Sequence, residues 1–97
     1  MKIIIHRKAL KYLEERQAED ISITLAEIDT NCPIGTAKEI RVILEKPQNL
    51  KSYRWKKVDN YHFFIDRRLR EIGPIVLKKQ GFWKFSSLYV EGLQVPL

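Results

Sequence analysis

Two aromatic-rich runs, Tyr53–Val58 and residues 61–65, are separated by only Asp59 and Asn60. Asp and Asn tolerate the positive φ that a two-residue hairpin turn asks for, and such a turn matches the right-handed twist of its strands. A tight hairpin is therefore predicted here. An isolated hairpin is barely stable in water, so this one commits the chain to further strands or a helix that cover it.

The rest of the sequence supplies them. Ile21, Ile23 and Leu25 alternate with Ser22, Thr24 and Ala26, and Ile40, Val42 and Leu44 alternate again, a strand period in both cases. Ile3 and Ile5 alternate with Lys2, Ile4 and His6, which suits a short first strand. Residues 7–17 contain no Gly or Pro and set Ala9, Leu10, Leu13 and Gln17 opposite Lys8, Lys11 and Glu15. That spacing predicts an amphipathic helix of about three turns. Its start lacks a Ser, Thr, Asp or Asn cap.

Between the second and third strands, residues 29–36 carry Asp29, Asn31, Pro33 and Gly35, a loop composition. Further on, Leu69 and Ile72 suit a short helical turn stopped by Gly73-Pro74, and Ile75 to Leu77 a strand. Phe82 to Phe85 and Leu88 to Val90 are read as the last apolar pieces, with Gly81 and Gly92 at turns. The order implies a single α+β domain over 1–97, a β-rich sandwich of mainly antiparallel strands with one N-terminal helix.

Composition narrows the function classes. A 97-residue chain with 44% hydrophobic residues can bury one core and has no room for separate catalytic and regulatory domains. No apolar run approaches the roughly 20 residues needed to cross a bilayer. The start, Met1 to His6, is too short in its apolar part for a secretory signal. A cytoplasmic protein with no membrane partner is expected. A single cysteine, Cys32, excludes an internal disulfide and suits a reducing compartment.

The net charge of +6 is uneven: residues 46–84 hold eleven Lys/Arg against three acids. Lys56, Lys57, Arg67, Arg68 and Arg70 are interleaved with or follow Tyr53, Trp55, Tyr61, Phe63 and Phe64. Cations that follow a backbone and rings that stack on bases make a single-strand nucleic-acid platform, so nucleic acid or an acidic protein is one partner class. Core packing is the competing reading of the rings, and a solvated surface that of the charges. Self-association through an exposed strand edge is a further reading.

No Ser-His-Asp signature, nucleophile elbow or phosphate-cradling glycine loop is present, which points away from an enzyme. Cys32, between Asn31 and Pro33 and near Gly35, is the candidate thiol. A loop cysteine near positive charge can act as a thiolate nucleophile or soft ligand. Its counter-reading is an inert small residue. Zinc sites ordinarily take four Cys/His ligands, and the chain has only Cys32, His6 and His62. A metal is expected only if Cys32 is shared between copies.

Several segments together resemble the HesB-like superfamily of small A-type iron–sulfur carrier domains, and most nearly its short branch of CC/Se-motif (seleno)proteins. Met1-Lys2-Ile3-Ile4-Ile5, running into Ala9 and Tyr12-Leu13, is similar to the family's first strand and helix. Thr30-Asn31-Cys32-Pro33 stands where that branch has paired Cys-Cys or selenocysteine-containing residues. Lys46-Pro47-Gln48-Asn49, Tyr53 and the run from Val58 to Ile65 resemble the family's hairpin. Gly81 to Phe85 and Leu88 to Leu93 resemble its closing strand.

The resemblance implies a role in thiol, selenium or iron–sulfur metabolism, with an iron–sulfur cluster as the implied cofactor and a second protein or a small thiol as the implied partner. The departures are specific. The tail from Gly92 to Leu97 has no thiol where the longer carriers have Cys-x-Cys, and Asn31 stands beside Cys32 where the short branch has a second redox atom. An adjacent pair that could close on itself is thereby lost.

Overall fold

The structure is a computed structural model and describes residues 1–28 and 37–96. In chain order it has β1 (Ile3–Ile5), α1 (Arg7–Glu15), β2 (Asp20–Ile28), β3 (Ala37–Ile43), β4 (Tyr53–Val58), β5 (Tyr61–Asp66), β6 (Arg70–Gln80) and β7 (Ser87–Gln94). Short 3-10 turns precede β4 at Leu50–Ser52 and β7 at Trp83–Phe85.

The hairpin forms as its sequence dictates. β4 and β5 pair antiparallel with Val58 opposite Tyr61, and Asp59 takes φ 54° in the two-residue turn. β5 then lies beside β2, and β2 beside β3, giving a four-stranded sheet in the order β3-β2-β5-β4. A three-stranded sheet, β1-β6-β7, completes the mostly β molecule with its one helix among the described residues.

Two pairings depart from the antiparallel expectation: β1 runs parallel to β6, and β2 parallel to β5. Both join strands far apart in sequence, so no local signal announces them.

Alternation places the core. Ile21, Ile23 and Leu25 of β2 and Tyr61, Phe63 and Ile65 of β5 pack in one cluster with Ile3, Ile75, Leu77 and Leu93 of the other sheet. Ala9 and Leu13 close this cluster from α1, and Leu10 is partly buried beside it. Burying each large aliphatic side chain here is worth about 1.5–3 kcal/mol.

The helix stops earlier than its apolar spacing suggests. Gln17 is exposed and left-handed at φ 53°; its N–H bonds to the Glu14 carbonyl while the Ala18 N–H bonds to that of Leu13. Those two bonds make a Schellman ending, in which the left-handed position is ordinarily Gly.

The connection between β3 and β4 is tied to β2 and borders a cavity beside β5. The buried Ser22 hydroxyl donates to the Glu45 carbonyl, Lys46 and Leu50 line one cavity with Phe64, and Phe64 is 7% exposed. β5 is nearly buried on both faces.

The structure departs from the sequence pattern at several places in the last third of the chain. Leu69 and Ile72 form no helical turn: Leu69 is buried after β5, and Ile72 is 63% exposed within β6. Gly73-Pro74 does not end an element but sits where the β6–β7 register shifts between Glu71 and Val76. Proline is tolerated at such bulges because no ladder bond is asked of its nitrogen. Gly92 lies inside β7, not in a turn; it has φ 90°, and a Cβ there would stand 2.0 Å from the Pro74 oxygen. Finally, Phe82, Trp83 and Phe85 contribute nothing to the core and stand 77, 86 and 78% exposed.

Candidate functional site

β2 and β3 remain paired out to Ile28 opposite Ala37, so residues 29–36 are left and re-entered at that end of the four-stranded sheet. Cys32, Asn31, Pro33 and Gly35 lie outside the described residues.

The end of β5 reaches alongside Leu25 of β2, and three of the candidate cations follow it in the chain. Arg68 is committed to the molecule itself. Its guanidinium bonds both oxygens of Asp66, at 3.1 and 2.9 Å, and the Leu25 carbonyl at 3.2 Å. Burial pushes the Asp66 carboxyl up, but bonds from the Arg68 side chain and from the Arg68 and Leu25 backbone, with the charge of Arg68, outweigh it. The carboxyl is held below its ordinary value. Arg67 is exposed, with its Nε donating to the Lys51 carbonyl at 3.0 Å. Arg70 is exposed where β6 opens opposite Gln94.

The two lysines lie elsewhere. Lys57 is exposed near the hairpin turn, opposite His62, and half-buried Lys56 hydrogen-bonds the Met1 carbonyl. The aromatic half of the proposed platform is mostly core. Tyr61, Phe63 and Phe64 are 9% exposed or less, and the half-buried Tyr53 hydroxyl pairs with Thr24 at 3.0 Å. Trp55, at 61%, is the ring of this set left open to solvent. Residues 51–70 therefore present scattered cations around one tryptophan and no stacked surface.

That tryptophan borders a feature sequence reasoning missed. Trp55, His62, Phe64, Leu50, Asp20 and Glu19, with Lys46, line a shallow cavity of about 480 Å³. His62 Nδ1 lies 3.1 Å from Asp20 Oδ1, and its ring stands 6.1 Å from that of Trp55. A carboxylate on Nδ1 fixes the imidazole, as in acid–base catalysis, yet none of the lining side chains is a hydroxyl or thiol nucleophile. The register Asp20↔His62 creates this pair, and that parallel pairing has no signature in either strand.

His6 precedes α1 at the N-cap, where its backbone bonds the Leu77 carbonyl but its side chain makes no cap bond. Among the described residues, no three His, Cys, Asp or Glu side chains gather as a metal site. No described helix is long and apolar enough to cross a membrane.

The model of the CC/Se motif containing family matches residues 1–93. The chain belongs to that family. No curated protein and no solved structure matches it. Cys32 is the single cysteine of this CC/Se-family chain.

Proposed function

We propose that this CC/Se-family protein is a HesB-like accessory domain in thiol, selenium or iron–sulfur metabolism, with Cys32 as its reactive group. The observation that carries the reading is the family match across residues 1–93 combined with a sole cysteine at position 32. Cys32 acts as a thiolate nucleophile or soft ligand toward a second protein or a small thiol. With Asn31 beside it, it cannot close an adjacent disulfide or selenenylsulfide, so exchange has to run through an external thiol.

An iron–sulfur cluster held by one chain does not fit the donors present. Clusters are ordinarily held by four thiolates, and this chain offers one. Among the described residues, His6, at the α1 N-cap, and His62, on β5 with its Nδ1 beside Asp20, belong to no group of three or more His, Cys, Asp or Glu side chains. A cluster would require Cys32 from several copies.

Alkylation kinetics across pH test the reading, with Cys32→Ala as the blank. The expected result is a reactive thiol with an apparent pKa below the free value of about 8.5. A thiol that resists alkylation in the folded protein removes it. Anaerobic reconstitution with iron and sulfide, wild type against Cys32→Ala, separates intersubunit cluster binding from nonspecific uptake.

A further inference from the structure

β6 and β7 are joined through residues 81–86, the most exposed apolar segment described. Its backbone is held in place. Gly81 turns at φ 75°, where a Cβ would meet the Phe85 carbonyl at 2.4 Å. The Phe85 N–H bonds the Phe82 carbonyl at 3.2 Å, and the Tyr12 hydroxyl of α1 bonds the Ser86 carbonyl at 3.4 Å. Trp83 is held at φ 61°, an outlier for a bulky residue. Its ring repays nothing to the core, being 86% exposed. Strain kept at a position with no packing role points to a use outside the fold.

The charge around the tip has one dominant sign. Lys8 and Lys11 of α1 and Lys79 of β6 line a cleft of about 340 Å³ with Tyr12 and Phe82, and Lys84 lies within the tip itself. Glu15 is the one acid lining that cleft.

We propose that residues 81–86 insert Phe82, Trp83 and Phe85 into the interface of an anionic lipid bilayer, with Lys8, Lys11, Lys79 and Lys84 on headgroup phosphates. Aromatic rings favour the headgroup level, and clustered lysines are drawn to anionic lipid. The other occupants fit less well. Trp83 and Phe85 stand 86 and 78% exposed and project as rings rather than forming a groove for a folded partner, and a fluid bilayer needs no groove. None of the three rings pairs with another described ring, so they build no stack for bases. A second copy docked tip to tip would bring two lysine clusters together. The contact is interfacial and consistent with the absence of a spanning helix among the described residues.

Sedimentation with vesicles of phosphatidylcholine, with and without phosphatidylglycerol, tests this on the full chain. Binding is expected only to the anionic vesicles and should weaken with salt. Replacing Phe82, Trp83 and Phe85 together by Ser should lower affinity by about tenfold or more. Lys8→Gln and Lys11→Gln should each cost about fivefold at low salt. In a Trp55→Phe background Trp83 is the sole tryptophan, and its emission should shift to the blue on binding. All these side chains are exposed, and an unchanged far-ultraviolet circular dichroism spectrum checks the fold. No sedimentation with anionic vesicles at low salt overturns the proposal, as does binding indifferent to the rings. Ring-dependent binding to poly(U) without vesicle binding also overturns it and reassigns the tip to nucleic acid.

Discussion

The buried Asp66 carboxylate and the Arg68 guanidinium two residues later are joined through both oxygens and tie the end of β5 to β2. The backbone ladder between these strands runs to Ile23 opposite Ile65. Beyond it, side chains take over: Asp66 accepts the Leu25 N–H at 3.1 Å, and Arg68 donates to the Leu25 carbonyl at 3.2 Å. Asp66 is 1% exposed, so its charge depends on these donors, while Arg68 keeps one side toward water.

Removing either partner should therefore destabilise the fold. Arg68→Met leaves the carboxylate with its two backbone donors and is expected to cost about 1–3 kcal/mol. Asp66→Ala strands the Leu25 and Arg68 N–H groups and should cost at least as much. Urea denaturation of both singles and the double variant measures the coupling, which should be clearly non-additive.

The same pair sets an acid limit. Because the folded carboxyl lies below its ordinary value, the unfolded chain binds the proton more readily. Its stabilising contribution is complete above the ordinary aspartate value, about 3.9, and is lost as pH falls through the folded one. Stability curves between neutrality and acid should be flatter for Asp66→Asn than for the parent below about pH 4. Identical curves would show that the pair contributes no pH dependence.

The extent to which sequence foretold this arrangement follows from the range of each interaction. The β4–β5 hairpin was legible because its turn residues and alternation are local. Phe64 and Asp66 were not, since they face a parallel partner more than forty residues upstream. Acidic Asp66 after three apolar residues, Phe63 to Ile65, with Arg67-Arg68 next, was the available hint of a satisfied buried carboxylate. Phe82, Trp83 and Phe85, read only as apolar pieces, lie outside, because apolar residues are not always inside. Their packing in four positions without a period of two was the sign that no strand face would bury them.

Two neighbouring glycines should respond oppositely to alanine. Gly92 has φ 90° and a missing Cβ directed at the Pro74 carbonyl, 2.0 Å away, so Gly92→Ala is expected to cost about 2–4 kcal/mol. Gly73 has nothing within 4 Å of its would-be Cβ and no positive φ. Gly73→Ala should be neutral or stabilising by about 0.5 kcal/mol, through the unfolded chain. Paired thermal melts read both.

Gln17 offers a gain. It occupies the left-handed position of the Schellman ending at φ 53° with its side chain exposed, so replacement loses no core contact. Gln17→Gly should stabilise by about 0.5–1 kcal/mol, as relief of the left-handed backbone exceeds the added entropy of the unfolded chain. An unchanged denaturation midpoint would mean that Gln17 bears no strain.

Trp83 should separate stability from surface function. At φ 61° a tryptophan carries a cost that glycine does not, and its ring, 86% exposed, returns little to the fold. Trp83→Gly is expected to raise stability by about 0.5–1 kcal/mol while lowering affinity for anionic vesicles. Phe85→Ser, which relieves no left-handed backbone, should lower the affinity without the stability gain. Denaturation and vesicle sedimentation on the same preparations distinguish the cases. A loss of stability in Trp83→Gly would instead place the ring among the contacts that hold the β6–β7 connection, because strain relief and packing loss move the midpoint in opposite directions.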